Sequence, residues 1–143
     1  MKIIYSYFGF KEKIKVSPKF KELVKYISYT EEIKLGEINI IFTNNNELLR
    51  INQDYLKHNY LTDVITFDNR VKDIISGDIF VSVERVLENA KVFNVKDEVE
   101  LYRVMIHGIL HLIGYMDSDV ERSFIMKNKE EKYLKSAREL GVF

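Results

Sequence analysis

From Val99 to Ile113 the chain is apolar nearly all the way round a helix, with Val99, Tyr102, Met105, Ile106, Ile109, Leu110, Leu112 and Ile113 distributed over every side. A helix of that kind belongs at the centre of a fold, where other elements cover it on all faces. Asp97, with Glu100 three residues on, reads as a capping box that opens it. Gly114 closes it, because glycine accepts the left-handed backbone that reverses the chain. Inside this apolar stretch stand His107 and His111, four residues apart and so stacked on one helical face. Imidazoles placed there need partners, either a metal ion or hydrogen bonds to backbone carbonyls.

The spacing continues beyond the helix as His-x3-His-x2-Gly-x2-Asp, and a reversal at Gly114 swings Asp117 back toward the histidines. Two imidazoles and a carboxylate leave a tetrahedral ion one open position, which a catalytic zinc keeps and a structural zinc fills. The metal set expected is therefore His107, His111 and Asp117, in a zincin-like site for one Zn2+. The plainer alternative makes Gly114 only a helix stop and Asp117 only a residue near the next cap.

In zinc peptidases the residue after the first histidine is a glutamate that acts as general base. Here it is Gly108, so that base is missing from its place. A glycine inside a helix costs about 1 kcal/mol relative to alanine, which points to a close approach to the backbone, by a substrate or by a neighbouring element. Hydrolysis without the glutamate remains feasible, since a metal can polarise a phosphoryl or carbonyl oxygen directly. Arg103 precedes His107 by one helical turn and is a candidate for neutralising a substrate phosphate alongside His107 and His111; the alternative is pairing with a carboxylate.

Residues 1–143 are expected to form one domain. The 22 basic and 22 acidic side chains cancel, so any nucleic-acid binding has to be local. One candidate is the first 34 residues, where eight lysines face four glutamates. The absence of cysteine removes disulfides and thiolate sites and suits a reducing cytoplasm. The longest apolar run, Val104 to Met116, is too short to cross a bilayer, and the N-terminal stretch is too aromatic for a secretory signal.

In chain order, residues 3–8 read as a strand, and Ser17-Pro18 as the start of a helix that buries Phe20, Leu23, Val24 and Ile27. Ile38, Ile40 and Phe42 alternate as a second strand. The Asn44-Asn45-Asn46 turn opens a short helix with Leu48, Ile51, Asn52 and Tyr55. Thr62 to Phe67 and Gly77 to Val81 form a hairpin. Val83, Val86, Leu87, Ala90 and Phe93 mark another helical stripe. Ser118 and Glu121 cap a last helix whose inner face is Phe124, Tyr133, Leu134 and Ala137. This order predicts an α+β fold, a small mixed sheet of about four strands packed with about five helices around the histidine helix.

The segment HGILHLIGY resembles the signature HGxLHLxGYDH of the YbeY family of metal-dependent endoribonucleases, bacterial ribosomal-RNA maturation factors. Asn52 and Tyr55, TDVITF at Thr62 to Phe67, Ser76-Gly77-Asp78-Ile79, and Met126, Glu130 and Leu134 are similar to further blocks of that family, so the likeness runs from Ile38 to Leu134. Asp117 stands where the family has its third histidine, and Met116 where it has aspartate. Leu56 replaces an arginine of the family, for which Lys57 or Arg103 are the candidate substitutes. The resemblance implies a cytoplasmic, zinc-dependent endoribonuclease that hydrolyses single-stranded RNA, works at the 3′ end of small-subunit ribosomal RNA and in ribosome quality control, and associates with the small subunit and its proteins. Two other readings stay open: a non-catalytic RNA- or ribosome-binding factor with a structural metal, and a metallopeptidase, which Gly108 makes the weakest.

Overall fold

The structure, a computed structural model, describes residues 1–56 and 62–143. It is an α+β fold of four strands and five helices: β1 (Lys2–Tyr7), α1 (Phe20–Thr30), β2 (Lys34–Thr43), α2 (Asn45–Leu56), β3 (Val64–Asp68), β4 (Ile74–Ser82), α3 (Val83–Val92), α4 (Asp97–Ile113) and α5 (Val120–Leu140). The sheet runs β1-β2-β4-β3. The β1–β2 and β2–β4 pairs are parallel, and the β3–β4 pair is the antiparallel hairpin expected from the turn-rich segment between them.

Strand alternation decides which sheet face is covered. Ile38, Ile40 and Phe42 of β2 and Ile75, Ile79 and Val81 of β4 point to one side and are buried. On that side lies α4, flanked by α3 and α5, and α1 packs on α5. The central position inferred from its all-round apolar character is the one α4 occupies, with Met105, Ile106, Ile109 and Leu110 fully buried. Tyr102 is buried as well: its hydroxyl accepts the Ser17 backbone N–H at 2.8 Å, and its ring stacks on Phe143. The opposite sheet face meets α2, where Tyr55 sets its ring edge-on to Phe67, and Phe67 to Phe80.

Helix starts differ from the sequence expectation by a residue or two. Ser17 sits in the turn before α1, its Oγ accepting the Lys19 N–H, and the helix begins at Phe20. Asp97 is the first residue of α4 rather than its cap. Lys96 holds the cap position without a side-chain bond, and Glu100 is buried instead of reaching back. For α5 the cap is Asp119, not Ser118: its Oδ1 accepts the Arg122 N–H at 2.7 Å. Asn44 does cap α2, accepting the Glu47 N–H at 2.8 Å. Leu87, Phe93 and Phe124, expected on inner faces, are exposed, while Val86 and Ala90 of α3 and Met126 and Tyr133 of α5 are buried. Among the described residues no helix is long and apolar enough to cross a membrane.

Candidate metal centre

The last two turns of α4 carry His107 and His111 to the edge of the buried core, where each side chain keeps about a fifth of its surface exposed. The helix ends as the sequence implies. Gly114, at φ 123°, returns its N–H to the carbonyls of Leu110 and His111, and the chain turns back. Asp117 thereby arrives with Oδ2 3.4 Å from His107 Nε2 and 3.5 Å from His111 Nε2, while the two Nε2 atoms stand 2.9 Å apart. Two ligands about 2.0 Å from a tetrahedral zinc lie about 3.3 Å from each other, so this triangle has the edges such an ion requires. Among the described residues these are the three whose donor atoms converge.

Glu130 completes the arrangement from α5. Its Oε2 accepts the proton of His107 Nδ1 at 2.9 Å, which fixes the tautomer and leaves the Nε2 lone pair for a metal. Burial would push the His107 imidazole down, but the Glu130 carboxylate reverses this, and the net direction is up. Burial and the neighbouring His107 both push His111 down, toward the neutral imidazole that ligation needs.

The loop behind Asp117 is anchored at a distance. Glu31, at the end of α1, accepts hydrogen bonds from the hydroxyls of Tyr115 and Tyr133 and, at 2.9 Å, from Lys129 Nζ. Burial alone would raise the Glu31 carboxyl; the three donors outweigh it and hold it below its ordinary value. One carboxylate thus ties α1 to the reversal between Gly114 and Asp117 and to the α5 turn that carries Glu130.

A cavity of about 560 Å³ opens beside His107 and Asp117 and runs along α4 between α5 and the end of α3. Arg103 lines it, but its guanidinium is engaged: it pairs with Glu131, with Glu100 at 3.4 Å and with Glu130 at 4.0 Å. Arg103 is therefore near the candidate metal set and committed to carboxylates. Leu56 is the last described residue of α2, and Lys57 lies outside the described residues. Glu130 and Glu31 are the residues that reading by local spacing passed over. Glu130 had a signal, its place in a block similar to the family's last helix; Glu31 had none.

Glu100 makes a prediction of its own. Burial, opposed by Arg103 and reinforced by Asp63 and Glu130, pushes its carboxyl up to about 7 from 4.5. The folded protein holds this proton across a range where the unfolded chain has released it, so stability falls as pH rises from 4.5 through 7. Glu100→Gln is expected to be more stable than the parent at pH 8 by roughly 2 kcal/mol and nearly level with it at pH 4. Urea midpoints at the two pH values check this; a gap that does not change with pH would assign the titration elsewhere.

Comparison with known proteins gives the chain's relatives. The sequence profile of the family described as Endoribonuclease YbeY matches residues 9–138, reaching well ahead of Ile38. Endoribonuclease YbeY of Flavobacterium psychrophilum is 49% identical over 121 residues, covering 80% of this chain and 86% of that protein. The protein of the same name from Bacteroides fragilis is 43% identical over 113 residues, 79% of this chain and 81% of its own. The solution structure of the protein TM1509 from Thermotoga maritima superimposes with a TM-score of 0.65 at 31% identity, covering 98% of this chain and 94% of that one.

Proposed function

Since the chain belongs to the YbeY endoribonuclease family, we propose that it is a zinc-dependent endoribonuclease that hydrolyses single-stranded RNA, with one Zn2+ held by His107, His111 and Asp117. Its substrate is ribosomal RNA near the 3′ end of the small-subunit species, met on the small subunit together with its bound proteins, and its place of action is the cytoplasm, in ribosome maturation and quality control. Residues 1–143 act as one endoribonuclease domain.

The observation that carries this reading is the triangle of His107, His111 and Asp117, of which His107 and Asp117 line the α4 cavity. Three protein ligands leave a position for substrate, and the Asp117 side chain, nearly half exposed, keeps that position open to solvent. A bound zinc supplies Lewis acidity toward a phosphoryl oxygen and acidifies water. The chain supplies the rest. Glu130 holds the proton on His107 Nδ1, Asp117 brings one negative charge where the family has a third imidazole, and Glu31 keeps the reversal in place. With a carboxylate among its ligands the site carries less positive charge, so full activity is expected at a higher pH than in a three-histidine site. A peptidase is disfavoured because position 108, where zinc peptidases carry the glutamate base, is a glycine packed against Ile79 of the sheet.

Elemental mass spectrometry on protein prepared without chelator is expected to find one zinc per chain. Cleavage of unstructured RNA should stop on chelation, return with zinc, and be much weaker on duplex RNA. Absence of bound zinc, or RNA cleavage indifferent to chelator, would overturn the assignment.

A further inference from the structure

The cavity beside the metal centre has the wrong charge for a phosphate. Its charged lining sets Asp63, Glu100, Asp117, Glu130 and Glu131 against Arg103 and Lys127, and Arg103 is spent on three of those carboxylates. A phosphate is repelled there; an uncharged group rich in N–H donors is attracted. Glu100 stands out within it. Its side chain is 3% exposed, and Oε1 has no hydrogen-bond partner, Arg103 Nε being 3.4 Å away as an ion-pair neighbour. A buried acceptor left unsatisfied costs about 1–3 kcal/mol, and its retention points to a donor that arrives from outside.

Position narrows the ligand. Glu100 and His107 lie on the same face of α4, seven residues or about 10 Å apart along the axis. That is close to the reach from a nucleotide's phosphate to the far edge of its base. Asn89, whose Nδ2 donates to Asp63 Oδ2 at 3.3 Å, adds a polar edge on the α3 side, and Phe93 stands 61% exposed at the lip, where a base can stack.

On the footing of the endoribonuclease reading above, we infer that this cavity is a nucleobase subsite that receives the base next to the scissile phosphate and selects guanine, through its Watson–Crick edge, by means of Glu100. Guanine presents two adjacent N–H groups to the two oxygens of a carboxylate. Uracil presents a single N–H between two carbonyl oxygens, which the carboxylate repels. Adenine and cytosine present an acceptor nitrogen beside their amino group and meet the same repulsion.

The test uses the full chain loaded with zinc at pH 8, where Glu100 is ionised. Oligouridylates with one internal guanosine are compared with the all-uridine strand. Cleavage beside the guanosine is expected to be favoured by at least about tenfold in kcat/KM, and Glu100→Gln to bring the ratio close to one, since an amide offers only one acceptor. Binding of guanosine and uridine monophosphates, followed by calorimetry, reads the subsite without turnover. Tighter guanosine monophosphate binding that is lost in Glu100→Gln sustains the subsite even if no RNA is cleaved, a result that would fell the nuclease reading alone. RNA cleavage without base preference, or a preference that survives in a folded Glu100→Gln protein, overturns the subsite and leaves the nuclease reading standing.

Discussion

Replacing His111 by alanine is expected to remove zinc from the protein and to lower RNA cleavage by about three orders of magnitude or more. The size follows from the geometry. His111 Nε2 is one corner of a three-atom triangle, and the two corners left, His107 and Asp117, cannot hold an ion in a fixed position. Loss of Lewis-acid stabilisation worth several kcal/mol corresponds to three or more powers of ten in rate. The fold should survive. His111 lies on the last turn of α4, partly exposed, and the apolar side chains around it, Ile109, Leu110 and Leu112, are untouched. Metal content by mass spectrometry, cleavage of unstructured RNA and thermal unfolding check the three parts together. Undiminished cleavage by a zinc-free variant would show that the histidine pair is not the reacting centre.

Gly108→Ala is expected to destabilise the protein by about 1–2 kcal/mol, although alanine is the better helix former. Two effects oppose each other. Helix propensity favours alanine by about 1 kcal/mol. Against this, a Cβ at position 108 would lie 2.6 Å from Ile79 Cγ2 and within 3.4 Å of Ile79 Cδ1 and Val64 Cγ2. Ile79 is fully buried on β4, an inner strand held by β2 and β3, so the contact is relieved only by pushing α4 away from the sheet. Overpacking of that kind costs about 1–3 kcal/mol and outweighs propensity. Valine adds two methyl groups and β-branching, and its loss should reach about 3 kcal/mol or more. Because His107 is the adjacent residue, the same displacement should weaken zinc binding. Urea unfolding of the three proteins decides it; an alanine variant more stable than the parent would mean that α4 and β4 have slack between them.

The fold was legible wherever a local period carried it. Ile38, Ile40 and Phe42 alternate because one face of β2 is covered, and Phe20, Leu23, Val24 and Ile27 recur at helical spacing because one face of α1 is covered. Helix caps are less legible. Ser17, Asp97 and Ser118 each carry a side-chain oxygen suited to a cap, yet the helices begin at Phe20, Asp97 and Val120, with Lys19, Lys96 and Asp119 in the cap positions. Leu87, Phe93 and Phe124 fit the helical stripes by spacing but are exposed, since how far each helix face is covered is set by its neighbours and not by its own period.

What the sequence determined by itself was everything that depends on a few bonds along the chain. The four-residue interval sets His107 and His111 on one face of a helix, and the glycine at 114 reverses the backbone within reach of Asp117. Such relations follow from backbone geometry and hold in any surroundings. Only the tertiary structure decided that Glu130, 23 residues downstream, accepts the hydrogen bond of His107 Nδ1, and that Glu31, 84 residues before Tyr115, anchors the reversal. It also decided that Gly108 answers to Ile79 and that Arg103 is surrounded by glutamates. Contacts between distant residues depend on how the helices and the sheet are laid against one another, and that is settled by packing the whole core at once, which no interval along the chain records.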